Sequence, residues 1–294
     1  MRDPYAALPP RVTLCEVGPR DGLQNEAQTV APADKVRFIE LLADAGFTEI
    51  EATSFVSPAA VPQLADADAV FPALRQRPGL RYIALVPNER GLERALAAGV
   101  RDIAVFTAAS DAFAQRNIRM TIDESLARFA VVIARAHAAG MRVRASISTA
   151  FGCPFAGIVP PADVVRVALA LLAAGADALS VADTIGVATP NGVVAVVNAL
   201  LAAGIPLERL SLHFHDTRGT ALANIVAGLQ LGVAEYDASA GGLGGCPFAP
   251  GATGNVATES VLYLLAGMGI ETGVDVERVR AATRFIRGVL TPGS

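Results

Sequence analysis

The chain has 294 residues, is 52% hydrophobic and carries a formal net charge of −4. That apolar content is enough for one large core of the size single α/β barrels reach, and no run of Lys or Arg forms the basic stripe that nucleic-acid binding requires. The longest apolar stretches, such as VALALLAAGA (167–176) between Arg166 and Asp177, fall short of a bilayer span, so the hydropathy describes a buried interior and no membrane segment is expected.

The N-terminal MRDPYAALPP has neither an apolar signal region nor an Arg- and Ser-rich amphipathic stretch. Three cysteines, Cys15, Cys153 and Cys246, form no close-set framework. Both features lead us to expect a reducing cytoplasm. The first predicted strand is RVTLCEVG (11–18), followed by the charged and carboxamide-rich GPRDGLQNE. A phrase then recurs: an Ala-rich amphipathic segment, a small residue and Gly, then a β-rich run. It appears as LLADAGFTEIEATSF (41–55), ALAAGVRDIAVFT (95–107), HAAGMRVRASIS (137–148), LLAAGADALSVADT (171–184), LLAAGIPLERLSLHFHDT (200–217) and LQLGVAEYDASA (229–240), with a further strand at LRYIALVP (80–87).

Each Gly sits where a helix C-cap belongs. Val164, Val167, Ala168, Leu171 and Leu172 form one helical stripe at i, i+3, i+4, i+7 and i+8. About eight strands alternating with helices is the count of a closed (β/α)8 TIM barrel. A doubly wound sheet would carry a Gly-rich fingerprint after its first strand, and GPRDGLQNE is not one. No linker interrupts residues 1–294, so one catalytic domain is expected, with DVERVRAATRFIRGVL (275–290) as one extra C-terminal helix.

Active-site groups of such barrels lie at the C-terminal ends of the strands, and the polar residues collect there. Arg20 and Asp21 follow strand one, Glu51 lies in strand two, Asp183 ends strand six, His213 and His215 end strand seven, and Asn255 follows strand eight. In strand seven the period of two turns Ser211, His213 and His215 inward and Leu210, Leu212 and Phe214 toward the helices. Closure makes strand one a neighbour of strands seven and eight, so Asp21, His213, His215 and Asn255 can meet around one cation. Two imidazoles with two oxygen donors suit Mg²⁺ or Mn²⁺, and zinc also fits on ligand type. Schiff-base cleavage of a carbon–carbon bond needs a lysine at the site, and the only lysine, Lys35, lies in the first helix. Polarisation then falls to a metal.

GGLGGCPFAPGATGN (241–255) reads as a mobile Gly-rich lid loop. On it Cys246 could give or take a proton at the substrate, whereas Cys15 and Cys153 read as structural thiols. His137 falls in the last turn of a helix, where its charge suits the dipole.

The segments EVGPRDGLQNE (16–26), IEATSFVSP (50–58), ADTIGVATP (182–190), HFHDTRGTALAN (213–224) and GLGGCPF (242–248) together resemble the 3-hydroxy-3-methylglutaryl-CoA lyase family over nearly the whole chain. The resemblance implies a metal-dependent lyase that cleaves this acyl-CoA to acetoacetate and acetyl-CoA, usually within leucine breakdown. It implies a cation held by Asp21, His213, His215 and Asn255, with Arg20 stabilising the enolate oxygen and Cys246 protonating its carbon. Glu51 and Asp183 would support the site, with Ser54 and Ser180 as substrate contacts, and the chain would form a homodimer or higher homo-oligomer. Gly241 and Arg218 are the departures, and they bear on substrate range. Three rivals stand beside this reading: a lyase for a bulkier 3-hydroxyglutaryl-CoA, a condensing synthase of the isopropylmalate or citramalate type, and a barrel that binds metal or acyl-CoA without turnover. The length and the intact GLGGCPF speak against the synthase, and Arg20, Asp21 and Cys246 together speak against mere binding.

Overall fold

The glycines that end the repeated phrase do what a helix-to-strand junction demands. Gly46, Gly99, Gly140, Gly175, Gly204 and Gly232 all have positive φ, the left-handed conformation in which a helix stops without a Cβ penalty. The computed structural model describes residues 8–244 and 254–291. Among these residues the strands are β1 (Thr13–Glu16), β2 (Glu49–Ser54), β3 (Arg81–Leu85), β4 (Asp102–Ala108), β5 (Arg142–Ser148), β6 (Ala178–Asp183), β7 (Leu210–Phe214) and β8 (Glu235–Ala238). They pair in parallel and in chain order, and β1 pairs with β8 to close the barrel.

The helices α1 (Pro32–Asp44), α2 (Ala67–Ala73) and α3 (Glu89–Ala97) follow the first three strands. Two helices, α4 (Asp111–Ile118) and α5 (Ile122–Ala138), follow β4, and α6 (Pro161–Ala173), α7 (Pro190–Ala202), α8 (Ala221–Gln230) and α9 (Thr258–Gly267) follow β5 to β8. The expected additional helix is α10 (Val276–Leu290), capped by the Asp275 carboxylate, which accepts from the N–H groups of Glu277 and Arg278. The strands are shorter than their hydrophobic runs: β1 stops at Glu16 because Gly18 and Pro19 begin a turn. The short α4 has eight residues and stops at Ile118, where the C-cap Arg119 is held left-handed at φ 56°.

The main core lies between the sheet and the helices. On α6, Val164, Val167, Ala168 and Leu171 are fully buried, and Leu172 packs at the edge. Leu210, Leu212 and Phe214 of β7 join this outer core, while Ser211 faces inward, accepting from Arg144 Nη2 at 2.7 Å and donating to the Leu179 carbonyl. Inside the barrel, a small apolar cluster of Cys15, Val17, Ile83, Leu85 and Ala104 sits among ionic pairs that include Arg144–Asp237 and Arg81–Glu49.

Gly46 and Gly99 separate conformation from space. A Cβ on Gly46 would lie 2.5 Å from the Gly273 carbonyl oxygen, whereas one on Gly99 would meet nothing within 4 Å. Gly99→Ala is expected to cost about 1–2 kcal/mol of conformational strain, and Gly46→Ala distinctly more, read from urea unfolding midpoints at unchanged slope. Equal losses would show that the contact with Gly273 is without weight.

Candidate active site and metal centre

After β1 the chain winds one π-helical turn, Gly18–Gly22. Pro19 starts it, and the Val17 carbonyl accepts from the N–H groups of Arg20, Asp21 and Gly22. The turn aims two charged side chains into the mouth of the barrel. Arg20 donates from Nη1 to Asp21 Oδ1 at 2.7 Å and from Nη2 to Glu51 Oε2 at 2.7 Å. Burial opposes the guanidinium charge, but Glu51 and Asp21 more than compensate, and its pKa is raised above the usual arginine value. Burial likewise opposes the Asp21 charge; Arg20, His213 and His215 overcome it and hold the carboxyl well below the usual carboxylate range.

His213 in β7 and His215 just past its end have ring centroids 5.2 Å apart. Asn255 reaches them because residues 254–256 run beside the end of β7: Asp216 N donates to the Gly254 carbonyl and Val256 N to that of Phe214. Its amide Nδ2 donates to Asp21 Oδ2 at 2.8 Å and to the Leu243 carbonyl at 3.1 Å. Since both neighbours can only accept, the amide oxygen must point the other way. Among the described residues that oxygen is buried without a partner, as is His215 Nδ1. One ligand atom from each of Asp21, His213 and His215 lies within 4.8 Å of the others. Buried polar atoms left without a partner are costly, and a cation beside these carboxylate, imidazole and amide groups fits their chemistry. The donor set fits a divalent ion.

The two imidazoles are poised differently. Burial, reinforced by the neighbouring His213, lowers the His215 pKa to about 4 and keeps it neutral. Burial also disfavours a charged His213, but the hydrogen bond and charge of Asp237 outweigh it and raise its pKa. His213 Nδ1 and Asp237 Oδ2 are 3.2 Å apart, which leaves Nε2 free to face a cation. Asp237 is itself gripped by Arg144 Nη2 at 2.5 Å and by the Ser180 hydroxyl at 3.2 Å. Sequence reasoning missed Asp237 and Arg144. Their signal is an Asp and an Arg at inward positions of β8 and β5, legible only once those faces are known.

A cavity of about 510 Å³ opens at this end of the barrel, lined by Arg20, Asp21, Glu51, Ser180, His213, His215 and Asp237. Its lining also includes the apolar Val56, Leu85, Phe106, Phe113 and Met120, interspersed with Asn88, Asn117 and Arg128. Two further expected residues lie outside the cavity lining. Asp183 is buried with its oxygens taken by the N–H groups of Val187 at 2.9 Å and Ala188 at 3.0 Å, so it shapes the loop after β6. Ser54 is fully buried beyond the cavity wall, its hydroxyl donating to the Leu85 carbonyl at 3.3 Å. Ser180 lines the cavity but spends its proton on Asp237. Cys246 and most of the Gly-rich loop lie outside the described residues. Cys153 is buried and accepts from Ser110 and two backbone N–H groups, and His137 is bonded to Asp177 on the outer surface.

Together these features define a (β/α)8-barrel enzyme with a candidate divalent-cation centre at the C-terminal ends of its strands. The chain belongs to the HMGL-like family, which matches residues 11–286. It is 52% identical over 283 residues, 96% of this chain and 94% of the relative, to the 3-hydroxy-3-isohexenylglutaryl-CoA/hydroxy-methylglutaryl-CoA lyase of Pseudomonas aeruginosa. A crystal structure of hydroxymethylglutaryl-CoA lyase from that organism superposes with a TM-score of 0.95 at 51% identity, covering 98% of this chain and 96% of the other. An HMG-CoA lyase from Acinetobacter baumannii, in complex with coenzyme A and 3-methylmalate, superposes with a TM-score of 0.90 at 37% identity, covering 95% of this chain and 91% of the other.

Binding a cation at His213 requires its Nε2 to lose a proton, which sets the sign of the pH effect, and its raised pKa moves that effect to higher pH. Apparent Mn²⁺ affinity is expected to rise with pH until His213 is neutral in the free protein and then level off, with proton release seen by calorimetry in buffers of different ionisation enthalpy. Asp237→Asn removes the carboxylate that orients His213 and is expected to weaken Mn²⁺ binding roughly 10- to 100-fold. Unchanged affinity in that variant would remove Asp237 from the site.

Proposed function

We propose that the chain, a carbon–carbon lyase, cleaves 3-hydroxy-3-methylglutaryl-CoA to acetoacetate and acetyl-CoA with Mg²⁺ or Mn²⁺ held by Asp21, His213, His215 and Asn255. The observation that carries this reading is that ligand atoms of Asp21, His213 and His215 lie within 4.8 Å of one another, with Arg20 bonded to Asp21 and the Asn255 amide bonded to the same carboxylate. A bound divalent ion supplies Lewis acidity, which makes the proton of a tertiary alcohol easier to remove.

The chain's own residues supply the rest. Arg20, pinned by Glu51 and Asp21, presents a fixed positive charge where the departing thioester develops an enolate oxygen, and a charge held in place needs no reorganisation during the step. Asp237 holds the His213 ring and its tautomer, with Arg144 and Ser180 holding Asp237 in turn. The family resemblance assigns protonation of the enolate carbon to Cys246. The cavity has room for an acyl chain, and coenzyme A in the Acinetobacter relative supports thioester binding. A homo-oligomer acting in the cytoplasm completes the proposal on the strength of the resemblance; among the described residues no helix is long and apolar enough to cross a membrane.

A second reading, a wider substrate range, is favoured by the apolar lining residues Val56, Leu85, Phe106, Phe113 and Met120, more apolar surface than one methyl branch covers.

Purified protein with this acyl-CoA and Mg²⁺ is expected to release acetoacetate, with the product vanishing under EDTA and falling sharply in Cys246→Ala. Arg20→Gln is expected to lower kcat about 10²- to 10³-fold, the cost of losing one preorganised donor to a developing oxyanion. A folded Arg20→Gln enzyme with native kcat would exclude Arg20 from the chemistry, and no acetoacetate with any divalent metal would exclude the named substrate.

A further inference from the structure

Glu16, the last residue of β1, is fully buried, and its described partners are all neutral. Its Oε1 accepts from the Gly18 N–H at 2.8 Å and from the Ala240 N–H at 2.8 Å, and its Oε2 is bonded to the Thr258 hydroxyl at 2.7 Å. One carboxyl group thus ties three segments together. Gly18 opens the π-turn that carries Arg20 and Asp21. Ala240 begins the connection after β8, and Thr258 starts α9 just beyond Asn255.

The surrounding packing is too close to slide. A Cβ on Gly18 would sit 2.6 Å from Glu16 Oε1, and one on Gly22 would sit 2.8 Å from Leu243 Cβ. One on Gly244 would sit 2.8 Å from Asn255 Nδ2 and 3.1 Å from the Gly22 Cα. The turn bearing Asp21 and the segments flanking Asn255 therefore meet as one unit, and the Glu16 carboxyl lies at its buried junction. Burial without a basic partner pushes that carboxyl up to about 8, against the three hydrogen bonds it receives. An uncharged side chain of the same shape is then the natural conservative replacement.

We propose that Glu16 is a positioning residue for the cation site: through the π-turn and the β8 connection it sets the separation of Asp21 and Asn255 while touching neither. This rests on the cation reading given above.

The test is titration of Mn²⁺ into the wild-type chain, Glu16→Ala and Glu16→Gln, with free Mn²⁺ followed by electron paramagnetic resonance and folding by circular dichroism and thermal midpoint. Glu16→Ala is expected to weaken Mn²⁺ binding by about tenfold or more, as loss of an outer support of a metal ligand does, and Glu16→Gln to recover most of the loss. Leu171→Ala, in the α6 core away from the site, controls for stability: it should lower the midpoint and leave Mn²⁺ affinity as in the wild type. Should Glu16→Ala not fold, Gly18→Ala, whose φ is not left-handed, drives a methyl into the same carboxyl and carries the same expectation. Wild-type affinity in a folded Glu16→Ala or Gly18→Ala protein overturns the proposal, as does an equal loss in Leu171→Ala. No Mn²⁺ binding by the wild-type chain overturns the cation reading itself, and this proposal with it.

Discussion

The pairing of β1 with β8 is the constraint on which the rest of this molecule depends. Thr13, Leu14, Cys15 and Glu16 lie in register with Glu235, Tyr236, Asp237 and Ala238, and Val17 extends the ladder with an N–H donated to the Ala238 carbonyl at 2.9 Å. Closing so long a chain costs loop entropy, though the cost grows only logarithmically with length. It is offset by the apolar shell that each added strand and helix buries. The chemical return is a contact between Asp21 and Asn255, residues 234 positions apart, at 2.8 Å. An open sheet of the same strands would leave Asp21 at one edge and His213 toward the other.

Closure also creates an electrostatic difficulty, because it confines many charges within one barrel. The structure resolves it with two chains of buried pairs. Glu51, Arg20 and Asp21 form one; Arg144, Asp237 and His213 form the other. Each ends on a group facing the proposed cation, and each charge has a partner, the condition for tolerating buried ions. Such chains are weak as stability devices but precise as orienting ones. His215 stands outside both and meets its burial by remaining neutral, the form an imidazole needs to act as a ligand.

The cavity divides along the same lines. Its carboxylates and imidazoles come from β1, β2, β7, β8 and the turns after them, while β3, β4 and the segments after them bring Leu85, Phe106, Phe113 and Met120 together with Asn88, Asn117 and Arg128. A substrate with an acyl head rich in oxygen fits the side where Arg20, Asp21 and the histidines lie. The helix α10 reinforces the ionic side from outside the barrel. Its Arg287 donates to the Gly241 carbonyl, and its Thr283 bonds the Glu259 carboxylate, which accepts from the Gly241 N–H at 2.8 Å. The additional helix therefore braces the connection after β8 rather than merely covering the core.

Local periodicity by itself determined a great deal. The six glycine junctions, the amphipathic stripe of α6 and the shared face of His213 and His215 are properties of neighbouring residues, and a period of 3.6 or 2 can be read from the chain directly. Granting eight such units, closure placed Asp21 and Asn255 near the histidines, because the barrel has only one way to join its ends. What only the tertiary structure decided is which polar side chains face the cavity and which are spent elsewhere. Asp183 and Ser54 look chemically able in sequence, yet backbone N–H groups claim the first and the Leu85 carbonyl receives the hydroxyl of the second. Asp237, Arg144 and Glu16 look like ordinary strand residues, yet they orient the site. The reason is physical: hydrogen-bond partners are set by the pitch and register of distant strands, and those are fixed only when the last strand meets the first.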